Sequence, residues 1–334
     1  MATAERRLLV RAPNWVGDVV LSLPALRDLR RNFEGARVEV LARPWVAELY
    51  RAVAEIDDVH ETAGFRGDVD WLRDRFDVAV LLPNSFGTAL VAYRAGIPER
   101  WGYATDGRGL LLTRSARVPP EIRGHSEVYY YRAMLAGVGL SVSATCDSSL
   151  TCPPGWREQG TRHLGPSEGG FIGLVPGAAF GSAKRWLPER YAWVADRLGR
   201  ESGASVAVLG ARGERAIAEE IASLIHVPCR VLCGETTLGG LLGVLSQLRL
   251  LICNDSGPMH LAAALGVPVV AVFGPTDWRE TAPRGPRCRL IREDVDCAPC
   301  KQRECPIDHR CMRRITADRV LAEARALLEG DEAR

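Results

Sequence analysis

The stretch that decides the fold is "LRLLICNDSGPMHLAAALGVPVVAVFGPTD", residues 248–277. Its two ends, 248–253 and 267–275, are apolar runs without polar–apolar alternation, which is typical of strands buried on both faces. Between them, Ser256-Gly257-Pro258 begins a helix, since proline suits the first helical turn. Strand, helix and strand in this order predict a βαβ unit and a parallel sheet.

The same pattern continues through the chain, with further apolar runs at 8–13, 38–42, 77–83, 171–177 and 205–210. The segment 143–170 is poor in aliphatic residues and rich in Ser, Pro and Gly, so it is predicted to be a linker. We therefore expect an α/β protein of two Rossmann-like, doubly wound domains that face a central cleft, with ligands at the carboxyl ends of the strands. The predicted parts are an N-terminal domain over 1–160, a C-terminal domain over 170–315, and an amphipathic helix over 316–334 that packs back across the domains.

The composition argues against some classes of function. A net charge of +2 over 334 residues argues against a nucleic-acid partner. No apolar run reaches the ~18 residues that span a bilayer, and the start "MATAERRLLVRAP" lacks the apolar core of a signal peptide, so a cytoplasmic location is expected. Basic residues exceed acidic ones in 90–132 and 279–314. These are solvated surfaces, or contacts with phosphate groups or with anionic lipid headgroups.

The helix that begins at Ser256 is a candidate diphosphate site, because its free N–H groups and its dipole attract anions. Asp255, just before it, is predicted either to accept a hydrogen bond from a sugar hydroxyl or to cap the helix. His260, one turn on, is either a ligand contact or a packed helix residue.

A second candidate lies in "VPGAAFGSAKRWLPERYAWVADRL", residues 175–198. Lys184 is one of two lysines among 43 basic residues, the other being Lys301. In a chain that otherwise uses arginine, this favours a position that needs a compact ammonium group, although a lone loop lysine is more commonly a solvated charge. Such a group could neutralise a diphosphate leaving group without a metal. Trp186 is predicted to be packing.

The first βα turn, in "RAPNWVGDVVLSLPAL" (11–26), has one glycine, Gly17, followed by Asp18. A phosphate loop would be richer in glycine, and a carboxylate would repel phosphate. On the local sequence alone, Asp18 is predicted to be a helix N-cap.

Taken together, "NWVGDVVLSLPAL", "GTALVAYRAGIPERWGY" (87–103), "KRW" after "PGAA", and "NDSGPMHLAAALGVPVVAVFGPT" resemble glycosyltransferase family 9. The resemblance is closest to its ADP-heptose:lipopolysaccharide heptosyltransferases of the heptosyltransferase II type. It implies a GT-B fold whose N-terminal domain holds a lipopolysaccharide inner-core acceptor and whose C-terminal domain holds ADP-heptose. It also implies inverting transfer without an essential metal.

The resemblance assigns roles to particular residues. Asp18 is implied as the general base, Lys184 as a diphosphate contact and Glu214 as a nucleoside contact. The nucleotide-sugar site is implied to include Asp255, Ser256, Gly257, Met259 and His260. In one departure, Ala178-Ala179 stand where relatives carry hydroxyl residues, so phosphate contacts there fall to backbone N–H groups or to Ser182.

The sequence contains two kinds of candidate metal-binding motif. The triplets Asp68-Val69-Asp70 and Asp294-Val295-Asp296 do not follow buried strands, so neither is predicted to hold a catalytic cation. Four cysteines have ligand-like spacing and predict a structural zinc site, with His309 also available: Cys297, Cys300, Cys305 and Cys311. The alternatives are an iron–sulfur cluster, reduced cysteines in a packed loop, or disulfides formed after cell lysis.

Three rival functions remain open from the sequence. One is a family 9 transferase with another nucleotide sugar or acceptor, and a second is a sugar-nucleotide epimerase of related fold. The third is a two-lobed sugar-binding protein without catalysis. Binding of ADP-heptose against UDP-sugars separates the enzymes.

Overall fold

Residues 6–332 are described by a computed structural model, with the side chains of residues 331 and 332 left out. The chain divides into two compact units, Met1–Ser148 and Ser149–Arg334. The predicted lack of a signal peptide concerns residues 1–5 in part, and the predicted C-terminal helix ends with residues 333–334. These residues lie outside the described ones.

The first unit alternates strands and helices: β1 (Arg7–Arg11), α1 (Val16–Asn32), β2 (Arg37–Ala42), α2 (Pro44–Tyr50), β3 (Asp58–Glu61), α3 (Gly64–Leu72), β4 (Val78–Leu81), α4 (Phe86–Arg94), β5 (Glu99–Tyr103), β6 (Arg114–Ala116) and α5 (Glu127–Gly137). Its strands form one six-stranded sheet in the order β3-β2-β1-β4-β5-β6. Every pairing is parallel.

The second unit repeats this layout: α6 (Pro154–Leu164), β7 (Phe171–Val175), α7 (Pro188–Ser202), β8 (Ser205–Val208), α8 (Arg215–Ser223), β9 (Cys229–Val231), α9 (Leu238–Leu245), β10 (Leu248–Asn254), α10 (Gly257–Ala264), β11 (Val269–Val272), α11 (Trp278–Thr281), β12 (Cys288–Ile291), α12 (Arg310–Arg313) and α13 (Ala317–Glu332). The sheet order is β12-β11-β10-β7-β8-β9, again with parallel pairings.

The two parallel sheets confirm the predicted doubly wound α/β class. In each sheet the strand order reverses once, between β1 and β4 in the first unit and between β7 and β10 in the second. At such a reversal the loops that leave the two strands run to opposite faces and open a crevice at the carboxyl edge. Both crevices lie beside residues that the sequence singled out.

The predicted linker and the domain limit at residue 160 are wrong in part. Helix α6 lies inside 143–170 and belongs to the second unit, whose boundary falls after Ser148. Its packing on α9 depends on two glycines, since a Cβ on Gly160 would be 2.2 Å from the backbone of Gly243. Backbone contact of this kind needs few aliphatic side chains, which is why the segment resembles a linker.

Helix α13 begins as predicted, with the Thr316 hydroxyl 3.4 Å from the backbone N–H of Arg319. Its apolar face, including Val320, Leu321 and Ala324, joins the buried core of the second unit. On its outer side, Arg325 pairs with Glu201 of α7 at 2.5 Å. These contacts all lie within the second unit, so the interdomain role predicted for this helix stays a prediction.

Among the described residues, no helix combines the length and the apolar character needed to cross a membrane.

Candidate active site

The structure brings Lys184 and Asp255 together although they are 71 residues apart. Lys184 follows β7 and Asp255 follows β10, and these two strands are neighbours at the reversal of the second sheet. The Lys184 Nζ donates to Asp255 Oδ2 at 2.7 Å, and the two side chains are 12% and 6% exposed. Two separately predicted site residues therefore form one ion pair.

The Asp255 carboxylate accepts hydrogen bonds from neighbouring side chains and does not cap a helix. The same Oδ2 accepts from the Thr276 hydroxyl at 2.7 Å and from the Thr281 hydroxyl at 3.4 Å. The N-cap of α10 is Ser256, and that cap makes no side-chain hydrogen bond. The N-cap interpretation of Asp255 is therefore wrong, and the carboxylate is already engaged within the protein. Neither Thr276 nor Thr281 was predicted to be a site residue, although Thr276 belongs to the motif "GPTD", which follows a strand end.

The first turn of α10 has unused hydrogen-bonding capacity. The Ser256 Oγ is buried and lacks a hydrogen-bond partner in the described part of the chain. Buried hydroxyls are nearly always satisfied, so an unmet one beside a helix N-terminus indicates a place for a ligand. The amide N–H groups of Gly257 and Met259 lie in this first turn, where intrahelical acceptors are lacking.

Met259 and His260 face inward. Met259 is 0% exposed, so only its backbone is available to a ligand. Burial lowers the pKa of His260 to about 4, an effect that Asp255 opposes and Lys184 reinforces. A neutral imidazole at neutral pH supplies no charge to a diphosphate.

Glu214 lies where the ends of β7 and β8 meet. Its carboxylate occupies the space that a Cβ on Gly177 or on Gly210 would need, at 2.1 Å and 2.7 Å respectively. It accepts a hydrogen bond from the Ala211 N–H at 2.8 Å. Two glycines thus let this acid reach the carboxyl edge of the sheet, on the opposite side of β7 from β10.

Asn254, which sequence reasoning left without a role, joins the two loops of this site. Its Nδ2 donates to Pro176 O at 2.6 Å, and its Oδ1 accepts from the Trp186 N–H at 3.0 Å and the Tyr191 hydroxyl at 2.9 Å. Trp186 is 1% exposed and donates from its ring to Ile315 O, which confirms its predicted packing role.

The loop before Lys184 packs on the cysteine-rich segment. Ala178 is buried, whereas Ser182 is exposed and available for a phosphate contact. The Ala183 N–H donates to Arg303 O at 3.0 Å, and His309 Nε2 lies 2.8 Å from Ala183 O. The centre of the Phe180 ring is 5.1 Å from the Lys184 ammonium and 5.5 Å from the Arg303 guanidinium.

The four predicted zinc ligands are neighbours without forming a cage. Burial and the nearby Cys297, Cys305 and Cys300 raise the pKa of Cys311 to about 11. In residues 6–332, however, the one group of three or more candidate ligands within 4.8 Å of one another is Glu39, Asp58 and His60. A tetrahedral zinc needs its sulfurs closer than the cysteines lie here, so their arrangement does not fit a preformed site.

The first crevice contains Asp18. The residue lies in the first turn of α1, whose N-cap is Trp15, so the N-cap interpretation is wrong here too. Burial raises the pKa of Asp18 to about 6. The carboxylate also contributes to raising the pKa of Tyr131, which places it near that phenol. A half-buried acid with a pKa close to neutral is the form that a general base takes.

The two Asp-x-Asp triplets lie outside the loops that carry Asp18, Lys184 and Asp255. Asp68 and Asp70 lie within α3, where Asp68 accepts from the Ala63 N–H at 2.7 Å. Asp294 is 87% exposed and pairs with Arg292.

Comparison with known proteins agrees with this arrangement. The family described as "Glycosyltransferase family 9 (heptosyltransferase)" matches residues 70–310. The lipopolysaccharide heptosyltransferase 2 of Escherichia coli (strain K12) is 32% identical, over 98% of this chain and 100% of that protein. The corresponding protein of Salmonella typhimurium is 31% identical, over 96% and 98%.

Solved structures show the same fold. The E. coli ADP-heptose lps heptosyltransferase II superposes with a TM-score of 0.85 at 31% identity, over 98% of this chain and 99% of that one. A family 9 glycosyltransferase from Veillonella parvula matches with a TM-score of 0.83 at 22% identity, over 99% of each chain, which supports the GT-B fold alone. With two parallel doubly wound units, a charged site at the β7/β10 reversal and full-length similarity to these proteins, the chain belongs to glycosyltransferase family 9, the heptosyltransferase family.

Proposed function

We propose that this protein transfers heptose from ADP-heptose to a hydroxyl of the lipopolysaccharide inner core, with inversion at the anomeric carbon. The observation that carries the donor side is the Lys184–Asp255 ion pair beside the open first turn of α10. Relatives that share the whole length of the chain are named heptosyltransferase 2, which supports the choice of sugar.

The second unit holds the donor. An ammonium group has three N–H donors, and Lys184 directs donors to Asp255 Oδ2 at 2.7 Å and to Asp255 O at 3.4 Å. Its remaining donor, the Ser256 hydroxyl and the first-turn amides of α10 then bind the diphosphate. Asp255 is a positioning residue, since it fixes the ammonium group and touches no part of the donor.

The first unit supplies the base. Asp18 takes the proton of the acceptor hydroxyl as that oxygen forms a bond to the anomeric carbon. The bond from this carbon to the diphosphate breaks in the same step, and ADP leaves with the electron pair. A single displacement inverts the configuration. Lys184 and the α10 dipole stabilise the negative charge that develops on ADP, a role that needs no metal ion.

The acceptor is lipid-linked, and we propose peripheral contact with the cytoplasmic face of the inner membrane. Arg94, Arg114, Arg117 and Arg123 are exposed cations in the basic stretch 90–132. Sedimentation with vesicles of anionic lipid tests this contact, which should weaken as salt screens the charges. Equal binding to neutral vesicles would contradict it.

The transfer itself is tested with purified protein, ADP-heptose and lipopolysaccharide truncated in the inner core, with the product identified by mass spectrometry. We expect a mass increase of one heptose with ADP-heptose and none with UDP-sugars. Transfer from a UDP-sugar alone would favour another family 9 activity. Binding without turnover on any acceptor would favour a sugar-binding protein.

A further inference from the structure

A cavity of about 210 Å³ opens in the first unit, beside the ends of the neighbouring strands β1 and β4. Its floor is apolar, with Leu9, Leu41 and Leu81 from three adjacent strands. Its rim consists of residues at the carboxyl ends of these strands and at the starts of α3 and α4. The cavity has no part in the chemistry described above.

The rim carries an excess of positive charge. Arg11 and Arg43 lie on it together with a single acid, Asp68. Among the described residues, neither arginine has a carboxylate within salt-bridge distance. Arg11 is 7% exposed, and its pKa is lowered by burial and by the charge of Arg43, with Asp68 opposing the shift. Two crowded guanidinium groups with one acid leave room for an anion.

The start of α4 adds hydrogen-bond donors to this rim. Ser85, the N-cap, accepts from the Thr88 N–H at 3.4 Å, and Gly87 lies between them on the cavity wall. A Cβ on Gly87 would meet no atom within 4 Å, so this glycine faces open space. The first-turn amides of a helix favour negative charge.

One aromatic ring lines the same opening, and a second lies beside Arg43. Phe65 lines the cavity and is 49% exposed, and Trp45 is 60% exposed. The Trp45 ring is held by the Arg43 guanidinium at 5.8 Å from its centre and by donation of its N–H to Asn14 O at 2.8 Å. Exposed, fixed aromatic faces are typical of surfaces that bind the apolar face of a ligand.

The cavity is linked to the loop that carries the base. Arg11 donates to Asn14 Oδ1 at 3.4 Å and to the backbone oxygens of Ala12 and Leu41 at 2.7 Å and 3.2 Å. Asn14 begins the "NWVGD" stretch that ends at Asp18. Arg11 therefore helps to fix the start of the loop that carries the base.

We propose that this cavity binds an anionic substituent of the sugar acceptor, a phosphate or a carboxylate, through Arg11, Arg43 and the N-terminus of α4. This inference rests on the proposed transferase activity and adds a specificity site to it. The site selects acceptors by their charge, and it orients the hydroxyl that Asp18 deprotonates.

The test compares two pairs of variants. Gly87→Asp places a carboxylate in the first turn of α4, where the helix dipole favours it, and Gly87→Ala is the uncharged control. Arg43→Gln removes one rim charge, and Arg51→Gln removes an exposed charge of the same unit whose partner, Glu61, is 3.7 Å away. We expect Gly87→Asp and Arg43→Gln to raise the acceptor KM about 10- to 100-fold, with ADP affinity unchanged and the controls near wild type.

The acceptor is supplied as isolated, after phosphatase treatment and after carboxyl reduction. Loss of the variant effect on one treated acceptor supports the proposal and identifies the anion. Equal behaviour of each variant and its control on every acceptor overturns the proposal. Binding of the deacylated acceptor oligosaccharide is also measured by calorimetry, without donor. Failure of the wild type to transfer heptose would count against the proposed function, whereas the calorimetric comparison still decides the cavity.

Discussion

The Lys184 ammonium lies 2.7 Å from a carboxylate oxygen of Asp255, and this pair joins the loops that follow β7 and β10. Each of the two side chains stabilises the other in its position. The carboxylate keeps the long lysine side chain at one position, and the ammonium compensates an acid that would otherwise be buried and unpaired. The pair lies in the second unit with the start of α10, where we propose that the diphosphate binds.

Removal of the ammonium should weaken donor binding. We expect Lys184→Gln to lower ADP affinity about 10- to 100-fold, because a charge-assisted hydrogen bond to phosphate is lost. Asp255→Asn should have a smaller effect that disappears in the Lys184→Gln background, since Asp255 acts through Lys184. Calorimetric titration with ADP measures all three variants.

Lys301→Gln is the matched control, because the other lysine is 57% exposed and pairs with Glu280 on the surface. Its ADP affinity should equal that of the wild type. Additive losses for Lys184→Gln and Asp255→Asn would show that Asp255 contacts the donor directly.

Loss of the base should abolish transfer and spare donor binding. Asp18 belongs to the first unit, whereas the predicted ADP contacts belong to the second. Asp18→Asn is therefore expected to lower kcat by at least about 100-fold, the contribution typical of general base catalysis, with ADP affinity unchanged. Rapid-quench measurement of heptose transfer checks kcat. Turnover at the wild-type rate would remove Asp18 from the mechanism.

The pH dependence of the wild type should report the same carboxylate. The pKa of Asp18 is raised to about 6, so the ionised base increases as the pH rises through 6. At pH 5 we expect kcat/KM at about a tenth of its plateau. His260, with its pKa lowered to about 4, stays neutral over this range and adds no step. A rate independent of pH between 5 and 7 would contradict the assignment.

The ionised Asp18 carboxylate should also lower the free energy of unfolding. Its pKa is about 6 in the folded state and near 3.8 in an unfolded chain, so the folded state binds more protons between these values and loses stability as the pH rises. Asp18→Asn should therefore be more stable than the wild type at pH 7.5, by up to about 3 kcal/mol. Urea unfolding at several pH values measures the difference, which should vanish below about pH 3, where the carboxyl group is protonated in both states. A variant less stable than the wild type at pH 7.5 would show that the carboxylate stabilises the fold.

Chelation should leave transfer intact. In the proposed mechanism the positive charge at the diphosphate comes from Lys184 and from α10, and the cysteine sulfurs do not form a cage. After dialysis against EDTA we expect unchanged kcat and an unchanged melting temperature, with bound metal followed by elemental analysis. A loss of rate restored by magnesium or manganese would reveal a catalytic ion. A loss of stability restored by zinc would reveal the structural site predicted from Cys297, Cys300, Cys305 and Cys311.

The sequence alone determined the elements and the kind of chemistry. Continuous apolar runs such as 248–253 identify buried parallel strands because local pattern depends on burial, and Asp18, Lys184 and Asp255 stand at strand ends where ligands bind. The contacts that these residues make do not follow from the local sequence. The adjacency of β7 and β10, which pairs Lys184 with Asp255, is set by the order of strands in the sheet, and no local pattern encodes that order.

Only the tertiary structure showed that Asp255 is engaged by Thr276 and Thr281, that Asn254 joins two loops, and that α6 belongs to the second unit. It also revealed the cavity between Arg11, Arg43 and α4, whose residues come from four separate segments. Burial raises the pKa of Asp18 and lowers that of His260, and burial is a property of the packed chain. The residue types follow from the sequence. The ionisation and the partners of the side chains depend on which segments the fold brings into contact.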